Sequence, residues 1–479
     1  MKKQLTRREL LKNAILGTGL LLAGKQTVLS QRLRYSGQSH DVLPIRPDNP
    51  SIRLLENRCR YCVRCVRFCR NEVTVFGQAV PPDEDACIHC GQCTLFCPRA
   101  IVEQFHYQNV AAALAYPDKI VVASVAPAVR VALGEMYRLA PGANVEGKIV
   151  GSLKKLGVDY VLDLIFSADL TVIEEASELL MRLEKNCRLP MFTSCCPAWV
   201  RFVKLFYPAL LPNLSTVKSP VMMQGALVKS YFAEKKGIDP AKIVNVALTP
   251  CTAKKAEILL PQMNVAGILH GNPEMRDVDF ALTCREIAYL QNEGKVDFLQ
   301  TQDAPYNSFM GSGSGAGIIF GGTGGVMEAT LRTAYKLLNA QNPPVDFFNL
   351  SPVRGLDSVR RASVCLGKRT LNVAVVHGTK QARPFLESIQ NGTQKFDFVE
   401  VMACSGGCIG GGGQPVNRNM DATKLIQVRK NALFQHDANK EIRLSCDNPQ
   451  IRAIYEEFLG EPLGEKSKKL LHVSRDLFF

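Results

Sequence analysis

The stretch Phe398–Pro415 sets Cys404 and Cys408 where thiolate ligation is the natural chemistry. An alternating apolar run, Phe398, Val399 and Val401, predicts a buried strand ending at Ala403. The two cysteines follow at once, among glycines at 406, 407 and 410–413. Thiolates at this spacing can reach one metal cluster, and glycines, lacking a Cβ, let the backbone approach an inorganic core closely. Two further segments resemble this arrangement: Phe192-Thr193-Ser194-Cys195-Cys196-Pro197-Ala198-Trp199 and Thr249-Pro250-Cys251-Thr252-Ala253-Lys254. Nearer the N-terminus, Cys59, Cys62, Cys65 and Cys69 form one Cys-x2-Cys-x2-Cys-x3-Cys run, and Cys87, Cys90, Cys93 and Cys97-Pro98 form a second. The chain holds 17 cysteines, an odd number mostly at metal-ligand spacings, so a disulfide framework fits badly. Eight cysteines in two such runs also argue against zinc.

The doubled run resembles the bacterial two-cluster ferredoxin pattern, in which the fourth cysteine of each run crosses to the other cluster. That resemblance assigns Cys59, Cys62, Cys65 and Cys97 to one 4Fe-4S cluster, and Cys87, Cys90, Cys93 and Cys69 to another. Arg58, Arg60, Arg64, Arg67 and Arg70 thread the first run. Positive charge there raises a cluster's potential and offers a landing for an anionic electron partner, although a merely solvated basic face is an equal reading.

Together the three later segments resemble the active-site motifs of the iron-only (FeFe) hydrogenases, in order, spacing and flanking residues. The resemblance implies an H-cluster, a 4Fe-4S cluster bridged to a di-iron subsite with CO, CN and azadithiolate ligands. Cys196, Cys251, Cys404 and Cys408 would hold the four-iron part, with Cys408 bridging to the di-iron part. Lys254 matches the lysine that hydrogen-bonds a cyanide, and Ala126, Pro127, Pro250 and Met402 match positions lining the di-iron pocket. Three positions depart from the usual pattern. Thr249 stands where methionine is frequent, Ala253 where serine is common and Val221 where glutamine often follows Ser219-Pro220; the departures bear on direction and potential.

Cys195 matches the family's proton-transferring thiol. Thr171-Val-Ile-Glu174 reads as a capping box opening a helix. On that helix Glu175, Glu178 and Arg182 share one face, ordinarily a solvated one, with Glu175 and Arg182 expected near the surface. With Ser215 they match the family's proton path. Cys187, Cys284, Cys365 and Cys446 match no motif and read as core cysteines.

Positioning these groups requires buried strands. Ile120–Val125, Tyr160–Phe166, Ile243–Leu248, Phe280–Leu282, Leu371–Val376 and Phe398–Ala403 read as strands, with helices such as Ile173–Lys185 and Ala198–Phe206 between some of them. The expected fold is an α/β catalytic domain with mainly parallel sheets, preceded by an α+β bacterial ferredoxin-like domain. Two lobes meeting around a buried cluster follow from the family resemblance. Cys196, Cys251 and Cys404 each follow an apolar run, so ligation beyond the carboxyl ends of strands can gather them. Gly311–Gly325 lacks a preceding strand and a Walker lysine, so it is read as structural and not as a nucleotide loop. Expected domains are a signal over 1–30, a linker over 31–50, the ferredoxin-like domain over 51–105, the H-cluster domain over 106–439 and a small-subunit-like tail over 440–479.

Arg7-Arg8, followed by the apolar run Ala14–Ala23, reads as a twin-arginine export signal, implying the twin-arginine translocase and a periplasmic or outer-face location. No clear cleavage site follows, so retention as an anchor stays open. The formal charge of +14 invites nucleic acid, but no nucleic-acid-binding pattern accompanies it. The expected function is oxidation of dihydrogen to protons and electrons, relayed through two clusters to a membrane or exported redox protein of ferredoxin or cytochrome type, after loading by maturation proteins. The rivals are a hydrogen-evolving enzyme, a non-catalytic hydrogen sensor and an iron–sulfur scaffold.

Overall fold

The computed structural model describes residues 43, 45–81 and 84–475. The expected export signal, and most of the expected linker, lie outside the described residues. Among the described residues no helix is long and apolar enough to cross a membrane.

Two short strands, β1 (Ile52–Leu54) and β2 (Ile101–Glu103), pair antiparallel and bracket the two cysteine runs. Short helices Arg64–Phe68 and Gln92–Phe96 carry Cys65 and Cys93. The small core between them joins Leu43, Ile52, Val66 and Ile101 with the cysteines themselves. Leu43 and Asn49, placed in the linker by sequence, are therefore part of this module. Asn49 Oδ1 accepts from the Ser51 and Ile52 amides at 3.0 and 3.1 Å.

The catalytic region holds two four-stranded sheets. In the first, β3 (Ile120–Val125), β4 (Tyr160–Asp163), β6 (Ile243–Leu248) and β7 (Phe280–Leu282) run parallel in the order β4-β3-β6-β7. β3 is almost wholly apolar and buried, as a central parallel strand covered on both faces must be. The second sheet orders β5 (Met191–Phe192), β10 (Phe398–Met402), β9 (Arg369–His377) and β8 (Val359–Leu366) as β5-β10-β9-β8. Only the β8–β9 pair in it is antiparallel. β8 alternates buried and exposed residues, the pattern of a half-solvated edge strand.

The helix expected from Ile173 begins at Ile165 and runs to Lys185. Asp163 accordingly ends β4 three residues before the expected Phe166, its Oδ1 accepting the Ile165 amide at 2.9 Å. Thr171 and Glu174 thus sit inside a helix and form no capping box. Thr171 Oγ1 instead donates to Ser167 O at 2.9 Å. The helix Gly315–Ile319, within the glycine-rich stretch, packs on Ile165–Lys185. Residues 471–473 dock beside residues 216–218. Lys218 N donates to Leu471 O and Val473 N to Thr216 O, both at 2.8 Å.

Of the four cysteines read as core, only Cys284 is buried; Cys187 and Cys446 are half-buried, and Cys365 is exposed on β8. The alternation that buries Val364 and Leu366 turns Cys365 outward.

Candidate active site

Cys196 follows β5 and caps the helix Pro197–Phe206, Cys251 follows β6, and Cys404 follows β10. Because β6 belongs to one sheet and β5 and β10 to the other, the carboxyl ends of both sheets deliver thiols to one crevice. Burial pushes each of these thiols up, Cys251 to about 11, and neighbouring thiols add to it at Cys251, Cys404 and Cys408. Cys404 is raised by burial and then by Cys90, Cys196, Cys251 and Cys408. Buried thiols crowded this way hold their protons unless a metal cation displaces them. Among the described residues no three His, Cys, Asp or Glu side chains are gathered tightly enough for a single metal ion.

Against these thiols lies a cavity of about 70 Å³, almost entirely apolar in its walls. Ala126, Pro127, Pro250, Met402, Thr249 and Cys195 all line it, together with Val221, Cys408 and Lys254. Ala253 does not; it faces a neighbouring cavity, so only two of the three departures from the family pattern touch this one. Lys254 Nζ donates to Glu257 Oε2 at 2.7 Å and to Cys195 O at 3.1 Å. Burial opposes its charge, but Glu257 outweighs that and holds the ammonium above the usual lysine range. An ammonium has three donors, so one stays available to an anionic ligand in an otherwise apolar space. Four crowded thiols, one apolar cavity and one ammonium fit an iron–sulfur cluster joined to a group bearing anionic ligands.

The proton carriers expected from sequence are gathered, but not where sequence put them. Glu175 and Arg182 are 1% and 2% exposed, buried where a surface position was expected. The face is buried because the chain's end and residues 213–216 close over it. Cys195 is 8% exposed; burial, then the charge of Glu175, raises its thiol. Glu175 is pushed up to about 8 by burial, then by the charges of Glu178 and Glu400, with a Ser215 hydrogen bond and Arg182 opposing. Its Oε2 has no hydrogen-bond partner among the described residues. Ser215 Oγ donates to Glu178 Oε2 at 2.9 Å, and Arg182 Nη2 donates to Glu178 Oε1 at 2.6 Å. Beyond them a cleft of about 470 Å³, lined by Glu178, Arg182 and Thr216, reaches the surface.

The eight cysteines of the N-terminal module fall into groups. Cys69, Cys87, Cys90 and Cys93 line one cavity of about 60 Å³, while Cys97 is close enough to Cys65 to raise it. Cys62, in the other set, is exposed, whereas Cys90 adjoins Cys251 and Cys404. The thiols therefore step from the surface to the buried crevice. Glycines seal the join. A Cβ on Gly412 would lie 2.3 Å from Cys90 O and 2.5 Å from the Gly91 carbonyl carbon; one on Gly91 would lie 2.2 Å from Thr252 Oγ1. What these glycines accommodate is neighbouring backbone and side chain. Thr94 Oγ1 and Gln92 Nε2 then donate to Gly412 O and Gly410 O at 2.9 and 2.8 Å.

Glu400, Glu257 and Thr216 were not singled out from sequence. Glu400 accepts the Gly324 and Met327 amides at 2.7 Å, and a glutamate inside the apolar run Phe398–Met402 was a legible signal.

The two sheets and the thiol-lined crevice between them suit a buried iron–sulfur redox enzyme. Residues 119–412 match the iron-only hydrogenase large subunit, C-terminal domain, and residues 423–474 match the iron hydrogenase small subunit. The chain belongs to the iron-only ([FeFe]) hydrogenases. It is 43% identical to the NADP-reducing hydrogenase subunit HndD of Solidesulfovibrio fructosivorans, over 87% of this chain and 73% of that one. It is 40% identical to the periplasmic [Fe] hydrogenase large subunit of Nitratidesulfovibrio vulgaris, over 86% of this chain and 98% of that one. A variant of apo [FeFe]-hydrogenase HydA1 from Chlamydomonas reinhardtii superposes with a TM-score of 0.68 at 40% identity, covering 77% of this chain and 98% of that one.

Proposed function

We propose that this hydrogenase works in hydrogen uptake, passing electrons outward through two 4Fe-4S clusters to an anionic redox protein. The observation that carries the catalytic reading is the burial together of Cys195, Glu175, Ser215, Glu178 and Arg182 between the apolar cavity and the surface cleft. Cys196, Cys251, Cys404 and Cys408 would hold the H-cluster, whose di-iron part, when bound, supplies the open coordination position for dihydrogen. Lys254 orients an anionic ligand of that group, and the apolar wall excludes water. Cys195, held neutral, carries the proton between the cavity and Glu175. Glu175, titrating at about 8, is protonated at neutral pH yet able to release within a unit of it. Ser215 hands the proton to Glu178, whose position Arg182 fixes.

The exposed Arg58, Arg60, Arg64, Arg67 and Arg70 beside Cys59, Cys62 and Cys65 support an acidic electron partner. Arg7-Arg8 supports export, and with it an acceptor outside the cytoplasm. A hydrogen-evolving role is the second reading, favoured by nothing specific in the site; the intact Cys195 series speaks against a scaffold. Protein-film voltammetry of the matured enzyme tests direction: oxidation current should exceed evolution at neutral pH, and Thr249→Met with Val221→Gln should narrow the gap. Evolution dominating in the parent would overturn the uptake assignment. Fractionation tests export: Arg7-Arg8→Lys-Lys should strand active enzyme in the cytoplasm, and a parent chain found there with its signal intact would overturn it.

A further inference from the structure

The series of proton carriers does not end at Glu178. Thr216 Oγ1 lies 3.1 Å from Glu178 Oε2 and 2.8 Å from His472 Nδ1. His472 Nε2 in turn lies 3.1 Å from Glu174 Oε2. One hydroxyl thus joins the inner carboxylate to an imidazole that belongs to the C-terminal tail.

The imidazole is held by design of the backbone. Val217 and His472 face each other as an antiparallel bridge, flanked by the Lys218–Leu471 and Val473–Thr216 hydrogen bonds at 2.8 Å. Glu174 is itself fixed by Tyr455 Oη at 2.6 Å, by the Leu463 amide at 2.9 Å and by Ser467 Oγ. Burial works against its charge, but these donors and His472 hold it below the usual carboxylate range. An ionised Glu174 accepts only, so His472 Nε2 must carry hydrogen in either protonation state.

That constraint makes the Thr216 hydroxyl a two-way element. When His472 is neutral, its Nδ1 is an acceptor and the Thr216 hydroxyl donates to it, leaving the Thr216 oxygen free to accept from a protonated Glu178. When His472 is charged, Nδ1–H donates to Thr216 and the hydroxyl turns to donate to Glu178. Moving one proton outward breaks the Glu178 O–H and the Thr216 O–H bonds and forms a new Thr216 O–H and the Nδ1–H. Charge is conserved, and no other reactant is needed.

We propose that Thr216 and His472 carry protons between Glu178 and the cleft of about 470 Å³ that His472 lines, making the small-subunit-like tail part of the proton route. This rests on the Cys195–Glu178 route proposed above. Neither group touches the reacting atoms, so both act by relaying and positioning. Glu174, Glu178, Arg182, Lys185, Arg188 and Lys468 are the charged side chains around His472 and its cleft. Tyr455 and Ser467 bear on His472 only through Glu174.

The test uses matured full-length enzyme and a second readout that needs no turnover. His472→Ala should lower hydrogen oxidation and evolution about tenfold or more at neutral pH and move the pH profile, because water in the cleft replaces imidazole poorly. Added imidazole should restore turnover, and substituted imidazoles should do so in proportion to their basicity. Thr216→Val should lower turnover similarly without imidazole rescue. In protein carrying its four-iron clusters and labelled at histidine, the His472 resonance, assigned by its loss in His472→Ala, should titrate at lower pH in Glu178→Gln than in the parent. A turning-over parent with His472→Ala unchanged, or a His472 titration indifferent to Glu178→Gln, overturns the relay alone. A matured parent that does not turn over overturns the relay together with the route it extends.

Discussion

Replacing Arg182 with methionine tests whether the buried carboxylate chain is held together as described. Arg182 gives Glu178 Oε1 two donors, at 3.0 and 2.6 Å, and spends its others on Leu214 O, Asn213 O and Arg188 O at 2.8, 3.1 and 3.2 Å. Methionine keeps the apolar stem and removes the charge. Glu178 retains Ser215 and Thr216 as donors but loses the Arg182 guanidinium. Breaking one side of a buried ion pair costs about 3–5 kcal/mol, because the remaining charge is left desolvated. Urea unfolding followed by circular dichroism at pH 8 should show a deficit of that size. Glu178→Gln in the same chain should recover at least half of the lost stability and none of the turnover, since glutamine cannot carry a proton. An Arg182→Met chain within about 1 kcal/mol of the parent would refute the account of this pair. So would a double variant that turns over hydrogen.

Glu175→Gln reports on its elevated titration. A carboxyl raised from 4.5 to about 8 binds its proton more tightly folded than unfolded, so its contribution is present below about 4.5 and lost as pH rises through about 8. By pH 7 the loss is roughly 3 kcal/mol at 1.36 kcal/mol per unit. Glutamine should therefore flatten the fall in stability between pH 5 and 8; an unchanged slope would show that Glu175 titrates normally. Gly412→Ala would place a Cβ 2.3 Å from Cys90 O, where backbone must move at a cost of about 1–3 kcal/mol. Turnover with an external acceptor should fall further than hydrogen–deuterium exchange, which needs no electron to leave the crevice; equal losses would deny the join a part in the relay.

Much of the site was legible because ligation is local. Eight cysteines in two runs, and three motifs each following an apolar run, could be read without tertiary information. The strands Ile120–Val125, Ile243–Leu248 and Phe280–Leu282 were readable for the same reason, being apolar runs of strand length. The proton chain was not. Glu175, Glu178 and Arg182 on one helix look like a solvated face, and only distant partners make them interior. Ser215 reaches Glu178 across 37 residues, and His472 reaches Glu174 across 298. The glycines of residues 410–413 were visible as glycines, but their neighbour Cys90 belongs to another domain. Local pattern showed which groups have chemistry, and tertiary packing decided which of them are buried together.

The central claim is that a di-iron site, held by Cys408 beside Lys254, exchanges its protons through Cys195. Infrared spectroscopy and gas exchange on the same matured samples of the parent and Cys195→Ala test it most directly. Both chains should show carbonyl and cyanide bands and bind roughly 14 iron atoms, eight in the ferredoxin-like module and six at the H-cluster. Only the parent should turn over hydrogen at speed. Matured parent without those bands, or Cys195→Ala turning over like the parent, would contradict it.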